Sequence, residues 1–319
     1  MLLPANNIKR WRRLLLGCIG IDEMGRLKFL LFITINSIAS AQVTTEQLYN
    51  GASSYSMAGS DLALPAHSWS MFVNPAGLAE GDHTTAIFGL ESLYGLSYFS
   101  HASAGVQFTL FGLGAFGLSI EDLATNYEGN SLSKETALAL HHGLTLQADR
   151  NSTLRFGYSL KAYYVDYGMS AGPSGNGSDG ISLGSHQAFG LDAGVLASLQ
   201  ERIRFGAKIS NINRPQLGAA NTAVYLPTRM QLGLAYSPYD LVWTTAALTR
   251  SVGHDTQIHA GMNYKVLPGF IIRSGVHSNP NRLAIGFSIA WKFISIDYGL
   301  MTHPVLPISH NLSLAIMIP

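Results

Sequence analysis

The stretch Ile203-Arg204-Phe205-Gly206-Ala207-Lys208-Ile209-Ser210 alternates without a break: every odd position is apolar and every even one is polar or glycine. In an extended strand successive side chains point to opposite faces, so this octapeptide has one apolar face and one polar or small face. The pattern recurs along the chain. Between Thr256 and Lys265, Ile258, Ala260, Met262 and Tyr264 alternate with Gln257, His259, Gly261, Asn263 and Lys265. Between Arg282 and Trp291, Leu283, Ile285, Phe287, Ile289 and Trp291 share one face, with Arg282, Ala284, Gly286, Ser288 and Ala290 on the other. Leu154, Phe156, Tyr158, Leu160 and Tyr164 alternate in the same way with Arg155, Gly157, Ser159 and Lys161.

Half of a soluble sandwich would share this period, but the lengths argue against it. Runs such as 153–167 and 187–199 exceed the roughly 5–6 residues usual in soluble strands. They suit the roughly 9–11 residues that a tilted strand needs to cross a bilayer. Composition agrees. The 319 residues are 12% charged, about half the usual share, and mean hydropathy is +0.18 with 33 glycines. No apolar run approaches the roughly 18 residues of a spanning helix; Phe29 to Ile35 is the longest candidate. Net charge is +1, which gives no footprint for nucleic acid. The expectation is an all-β fold, a transmembrane antiparallel β-barrel of about fourteen strands, in contact with outer-membrane lipid.

Strands are expected at 84–91, 93–109 (with a break near Ser103), 112–121, 135–147, 153–167, 187–199, 203–211, 228–237, 241–251, 256–265, 269–277, 282–291, 293–301 and 309–317. The connections 122–134, 168–186 and 212–227 are then long, and 148–152, 200–202 and 238–240 short. Long loops on one side and tight turns on the other are the asymmetry of outer-membrane barrels.

Upstream, Arg26 and Lys28 form a charged region, Phe29 to Ile35 an apolar one, and Ala39-Ser40-Ala41 a small-residue cleavage site. Residues 1–41 therefore read as a signal peptide with an extended or mis-called start, and Gln42 as the first mature residue. Cys18, the single cysteine, follows too short an apolar stretch to be a lipidation site, and it excludes a disulfide framework. Residues 42–83 alternate poorly and are rich in small residues and turn formers. They read as a hatch lying in the lumen ahead of an 84–319 barrel, with Met57, Gly59, Asn74, Pro75, Ala76 and Gly77 as its marking residues.

Enzyme and cofactor chemistry finds little support. Gly112-x-Gly114-x-x-Gly117 matches a dinucleotide fingerprint by letter, but Leu118, Ser119 and Ile120 continue a strand where a helix is required. Of eleven histidines only His141 and His142 are adjacent, and a strand points them apart. No metal-ligand spacing and no nucleophile elbow occur, so no cofactor, metal or catalytic residue is expected. The polar faces carry Arg155, Lys161, Arg204, Lys208, Arg229, Lys265, Arg273 and Arg282, with Asp192 and Asp297. They would face the lumen, either holding an anionic group or, as favoured here, pairing with a plug and with water.

Ser56-Met57-Ala58-Gly59 followed by Asn74-Pro75-Ala76-Gly77-Leu78-Ala79 resembles the hatch of FadL-type long-chain fatty-acid transporters and of the shorter PorV/PorQ-type proteins associated with type IX secretion. Phe205 to Asn213, Leu226-Pro227-Thr228-Arg229, Ile296-Asp297-Tyr298-Gly299 and Ser309 to Leu314 are similar to the shorter branch. That resemblance implies a non-enzymatic barrel of the bacterial outer membrane that docks secretion-system or surface proteins. The alternative it implies is a passive route for a hydrophobic ligand. The external loops look too short to build the capture groove of a FadL-type transporter, which tilts the sequence reading towards docking.

Overall fold

The alternating stretches do become strands, and the strands close on themselves. The computed structural model describes residues 49–65, 67–110, 112–218 and 223–318; the expected signal peptide and its expected cleavage site lie outside them. The ring begins with β1 (Thr84–Ser92), β2 (Phe99–Leu110), β3 (Gly114–Tyr127), β4 (Asn130–Ala148) and β5 (Ser152–Asp166). It continues with β6 (Ser185–Leu199) and β7 (Ile203–Ser210). A two-stranded excursion, β8 (Gln216–Leu217) and β9 (Val224–Tyr225), follows in a loop. The ring resumes with β10 (Arg229–Tyr239), β11 (Val242–Ser251), β12 (Gln257–Leu267), β13 (Phe270–His277), β14 (Arg282–Trp291), β15 (Ile294–Met301) and β16 (Ser309–Ile318). Each strand pairs antiparallel with its neighbour, and β1 pairs β16 from Thr84 opposite Ile318 to Ser92 opposite His310. The result is a closed fourteen-stranded barrel, which leaves no edge strand unpaired.

The pleat sorts the side chains as the alternation predicts. On β14, Leu283, Ile285, Phe287 and Trp291 are 55%, 53%, 38% and 69% exposed, while Ser288 is 3% exposed. Large apolar groups on the outside and polar groups on the inside invert a soluble protein. Only a lipid surround makes that arrangement stable, because each apolar side chain left in water would forfeit about 1.5–3 kcal/mol. No helix among the described residues is long and apolar enough to cross a membrane.

Two expectations fail locally. The expected long loop 122–134 is instead the paired tips of β3 and β4, joined at Glu128-Gly129. Both turn residues take positive φ, 49° and 83°, the backbone of a type I′ hairpin whose twist matches the flanking strands. β4 has 19 residues, or about 60 Å at the usual strand rise, so the hairpin projects beyond the roughly 30 Å hydrocarbon layer. Outside lipid no apolar face is needed, and the alternation that marks a strand disappears. The second failure is the start of β2. Leu93–Gly95 is a short 3-10 turn with Tyr94 at φ 54°, and the strand begins at Phe99. The break near Ser103 does not occur, since Ser103 pairs with both Gly89 and Glu121.

Candidate functional site

The segment upstream of β1 contains two short helices, α1 (Ala52–Ser56) and α2 (Ser70–Val73), and a 3-10 helix, Pro75–Glu80. Its start and stop signals are local. Gly51 precedes α1 at φ 82°, and Asn74, extended at φ −150°, caps the 3-10 helix by accepting from the Ala76 amide at 3.2 Å, with Pro75 at the first helical position. Met57, Gly59, Asn74, Pro75, Ala76 and Gly77 are all buried.

This segment meets inward side chains of strands on every side of the ring. The Ala52 amide donates to Ser313 Oγ on β16 at 2.9 Å, and Ser60 shares a hydroxyl hydrogen bond with Thr245 on β11 at 2.7 Å. His259 on β12 donates from Nδ1 to the Ala58 carbonyl at 2.7 Å. Asn74 Nδ2 donates to the Val195 carbonyl on β6 at 3.1 Å, and Asn50 Nδ2 to Glu121 on β3 at 3.0 Å. On β7, Arg204 Nε donates to the Ala63 carbonyl at 3.0 Å and Lys208 Nζ to the Phe72 carbonyl at 2.7 Å. A buried loop needs partners for its backbone, and the wall supplies them.

The wall also makes room. A Cβ at Gly157 would overlap the Pro75–Ala76 peptide, and one at Gly275 would overlap Met57. The glycines of the polar face are where the segment's backbone approaches the strands, as glycine alone permits.

The inner charges sort into three groups. Glu80 of the segment accepts from Arg155 at 2.7 Å and from Arg204. Asp192, fully buried, pairs with Lys161 at 3.1 Å and Lys208 at 3.9 Å, and accepts from the Asn211 amide at 2.9 Å. Arg273 faces Asp297 at 3.4 Å, with Ser288 bridging them. Arg204 holds the segment's backbone directly, Arg155 reaches the segment through Glu80, and Asp192 works within the wall. Arg229, Lys265 and Arg282 have no carboxylate at ion-pair distance among the described residues. Lys265 lines a cavity of about 220 Å³ near the turn side, with Asp61, Trp243 and Arg273.

Several groups had no sequence signal. Glu91 and His101 form a buried pair across β1 and β2 at 2.8 Å. Asp61 accepts from Ser54 and faces His67 at 3.5 Å. Burial pushes the Asp61 carboxyl up, but the hydrogen bonds and charge of His67 and Ser54 outweigh it and hold it below the ordinary value. His141 sits between Ser119 at 2.9 Å and Ser159 at 2.8 Å. Each is created by strand register or by the segment's path, which no local pattern encodes. Among the described residues no His, Cys, Asp and Glu group could hold a metal ion.

Comparison with family models and with curated proteins returns no match. Solved structures do match. The toluene transporter TodX of Pseudomonas putida shares 13% identity over 87% of this chain and 99% of its own, with a TM-score of 0.58. The monoaromatic hydrocarbon channel CymD shares 12% over 85% and 99%, with a TM-score of 0.57. A FadL homologue of Pseudomonas aeruginosa shares 12% over 83% and 97%, with a TM-score of 0.52. Likeness at this identity establishes the fold alone: a closed antiparallel β-barrel similar to those of these channels and of the FadL homologue.

Proposed function

We propose that this barrel is a passive, non-enzymatic route for small hydrophobic molecules across the bacterial outer membrane, with residues 42–83 as the hatch in its lumen. The sequence resemblance leaned towards docking of secreted or surface proteins. The solved structures of similar fold are hydrocarbon channels and a FadL homologue, and they favour transport. The observation that carries the reading is a recess of about 970 Å³ on the membrane side of β1 to β6. It is lined by apolar groups such as Ala104, Val106, Leu140 and Phe189, and bordered by Ser119 and Lys161 of the inner face. A segment filling the lumen opposes a straight aqueous path, and an apolar recess in the wall offers an apolar solute a way to the lipid.

The test is uptake by proteoliposomes. Toluene should equilibrate faster than in protein-free vesicles, while sugars of similar size should not. No acceleration for toluene, or equal acceleration for sugars, removes the proposal. A docking role would show instead as a defined protein complex recovered with the barrel from native membranes.

A further inference from the structure

A cavity of about 220 Å³ lies near the turn side of the barrel, on strands that take no part in the apolar recess of β1 to β6. Odd-numbered positions of β11, β12 and β13 face inward, as the burial of Thr245, His259 and Arg273 shows. That parity aims Trp243, Asn263, Lys265 and Ile271 inward as well. Register makes them neighbours. Trp243 is opposite Asn263, Asn263 opposite Arg273, and Lys265 opposite Ile271, and such pairs stand about 4.5–5.5 Å apart at Cβ. The Lys265 amide also donates to the Leu241 carbonyl at 2.9 Å.

The cavity wall is of two kinds. Trp243 and Ile271 of the barrel and Met57 and Leu64 of the lumenal segment give it an apolar side. An inward tryptophan and isoleucine are out of place on a face that is elsewhere polar or small. Both are only half-buried, so the segment does not cover them and they keep apolar surface open. The other side is charged, and most of that charge is committed. Asp61 accepts from Ser54 and faces His67 at 3.5 Å, Asp240 pairs with Arg202 at 2.7 Å, and Arg273 faces Asp297 at 3.4 Å. Lys265 differs. It is exposed, and its ammonium makes no ion pair among the described residues.

Size and charge together select a ligand. An apolar cavity of about 150 Å³ already holds benzene, so this one fits a single ring with one small polar group and is too small for a long acyl chain. An uncharged ring would use the apolar side and leave the ammonium to water. A cationic ring would be repelled. A carboxylate on the ring accepts a charge-assisted hydrogen bond from the ammonium while the ring covers the open apolar surface. We propose that this turn-side cavity binds a small aromatic carboxylate, with the ring against Trp243 and Ile271 and the carboxylate on Lys265.

The site stands apart from the apolar route, and binding rather than uptake reads it. A barrel that binds the acid without speeding toluene keeps the site and loses the route; the reverse result does the opposite. The full barrel in neutral detergent is dialysed to equilibrium against benzoate, benzyl alcohol or benzylammonium, with protein-free micelles as the blank. Benzoate should bind about tenfold more tightly than benzyl alcohol, the low end for a hydrogen bond to a charged group because the rim is wet. Benzylammonium should bind more weakly than either. Lys265→Met, a change at an exposed side chain, should bring benzoate down to the level of benzyl alcohol, and Lys265→Arg should restore most of the difference. Trp243→Ala should weaken benzoate and benzyl alcohol alike, by about tenfold. No saturable binding of benzoate, equal binding of benzoate and benzylammonium, or a preference for benzoate that survives Lys265→Met overturns the proposal.

Discussion

Lys208 of β7 donates its ammonium group to the main-chain carbonyl of Phe72, 2.7 Å away and 136 residues earlier in the chain. The same ammonium lies 3.9 Å from Asp192 on the neighbouring strand. One cation thus ties the inner wall to the segment it surrounds, using a backbone atom that any residue at position 72 would supply.

Replacing that cation should loosen the segment without opening the ring. Lys208→Met keeps the aliphatic stem and removes the donor, leaving the Phe72 carbonyl unmet and weakening the hold on Asp192. A loss of about 1.5–3 kcal/mol is expected, read as a lower unfolding midpoint in detergent. Protease cleavage within 49–80 should rise, and the heat-modifiable migration of a closed barrel should persist. Unchanged protease resistance would show that Lys208 does not anchor the segment.

Gly157→Val should be poorly tolerated. A side chain there meets the Pro75–Ala76 backbone, and overpacking of this kind costs about 1–3 kcal/mol. Ala162→Val, on the outward face of the same strand, should be close to neutral. Equal midpoints for the two variants would remove the close-approach argument.

Depth should set the cost of a charge on the outer face. Ile285 lies mid-strand on β14, and Trp291 ends the strand at the turn side. Ile285→Arg should cost about 2–4 kcal/mol and Trp291→Arg about 0–1, in equilibrium refolding into vesicles. Costs independent of depth would contradict a bilayer centred on the middle of β14.

Those outer positions were the legible part of the molecule. The alternation of Leu283, Ile285, Phe287 and Ile289 fixed both the limits of β14 and the direction of each side chain, because lipid on one side and polar contents on the other impose a period of two. Where lipid ends, at Asp122 to Lys134, the same strands continue without the period, and the sequence reads as loop. Of the segment before β1, the Asn74-Pro75 turn was legible, and it opens a 3-10 helix that Asn74 caps. The segment's partners were not. Glu80 meets Arg155 and Arg204, and His259 meets Ala58, only because the closed ring brings distant strands to one axis.

Deleting residues 49–80 should turn a nearly silent barrel into a leaky one. A fourteen-strand ring left empty encloses an aqueous lumen, so conductance in planar bilayers should rise severalfold. A full-length protein that already conducts as an open pore would dismiss the hatch.

Export makes a separate prediction. The protein recovered from outer membranes should begin at Gln42, because Ala39 and Ala41 suit the small subsites of the signal peptidase. N-terminal sequencing decides this, and an intact Met1 or Met24 would contradict it.

The join between β1 and β16 has a consequence for biogenesis. The segment runs directly into β1, and its Ala52 amide is bonded to Ser313 on β16. Both margins of the seam that joins the first and last strands are therefore attached to the same thirty-odd residues. Seating the segment brings the first and last strands together, and zipping those strands seals the segment in. Closure and filling become a single cooperative event, so an assembly intermediate with a sealed wall and an empty interior has little to stabilise it.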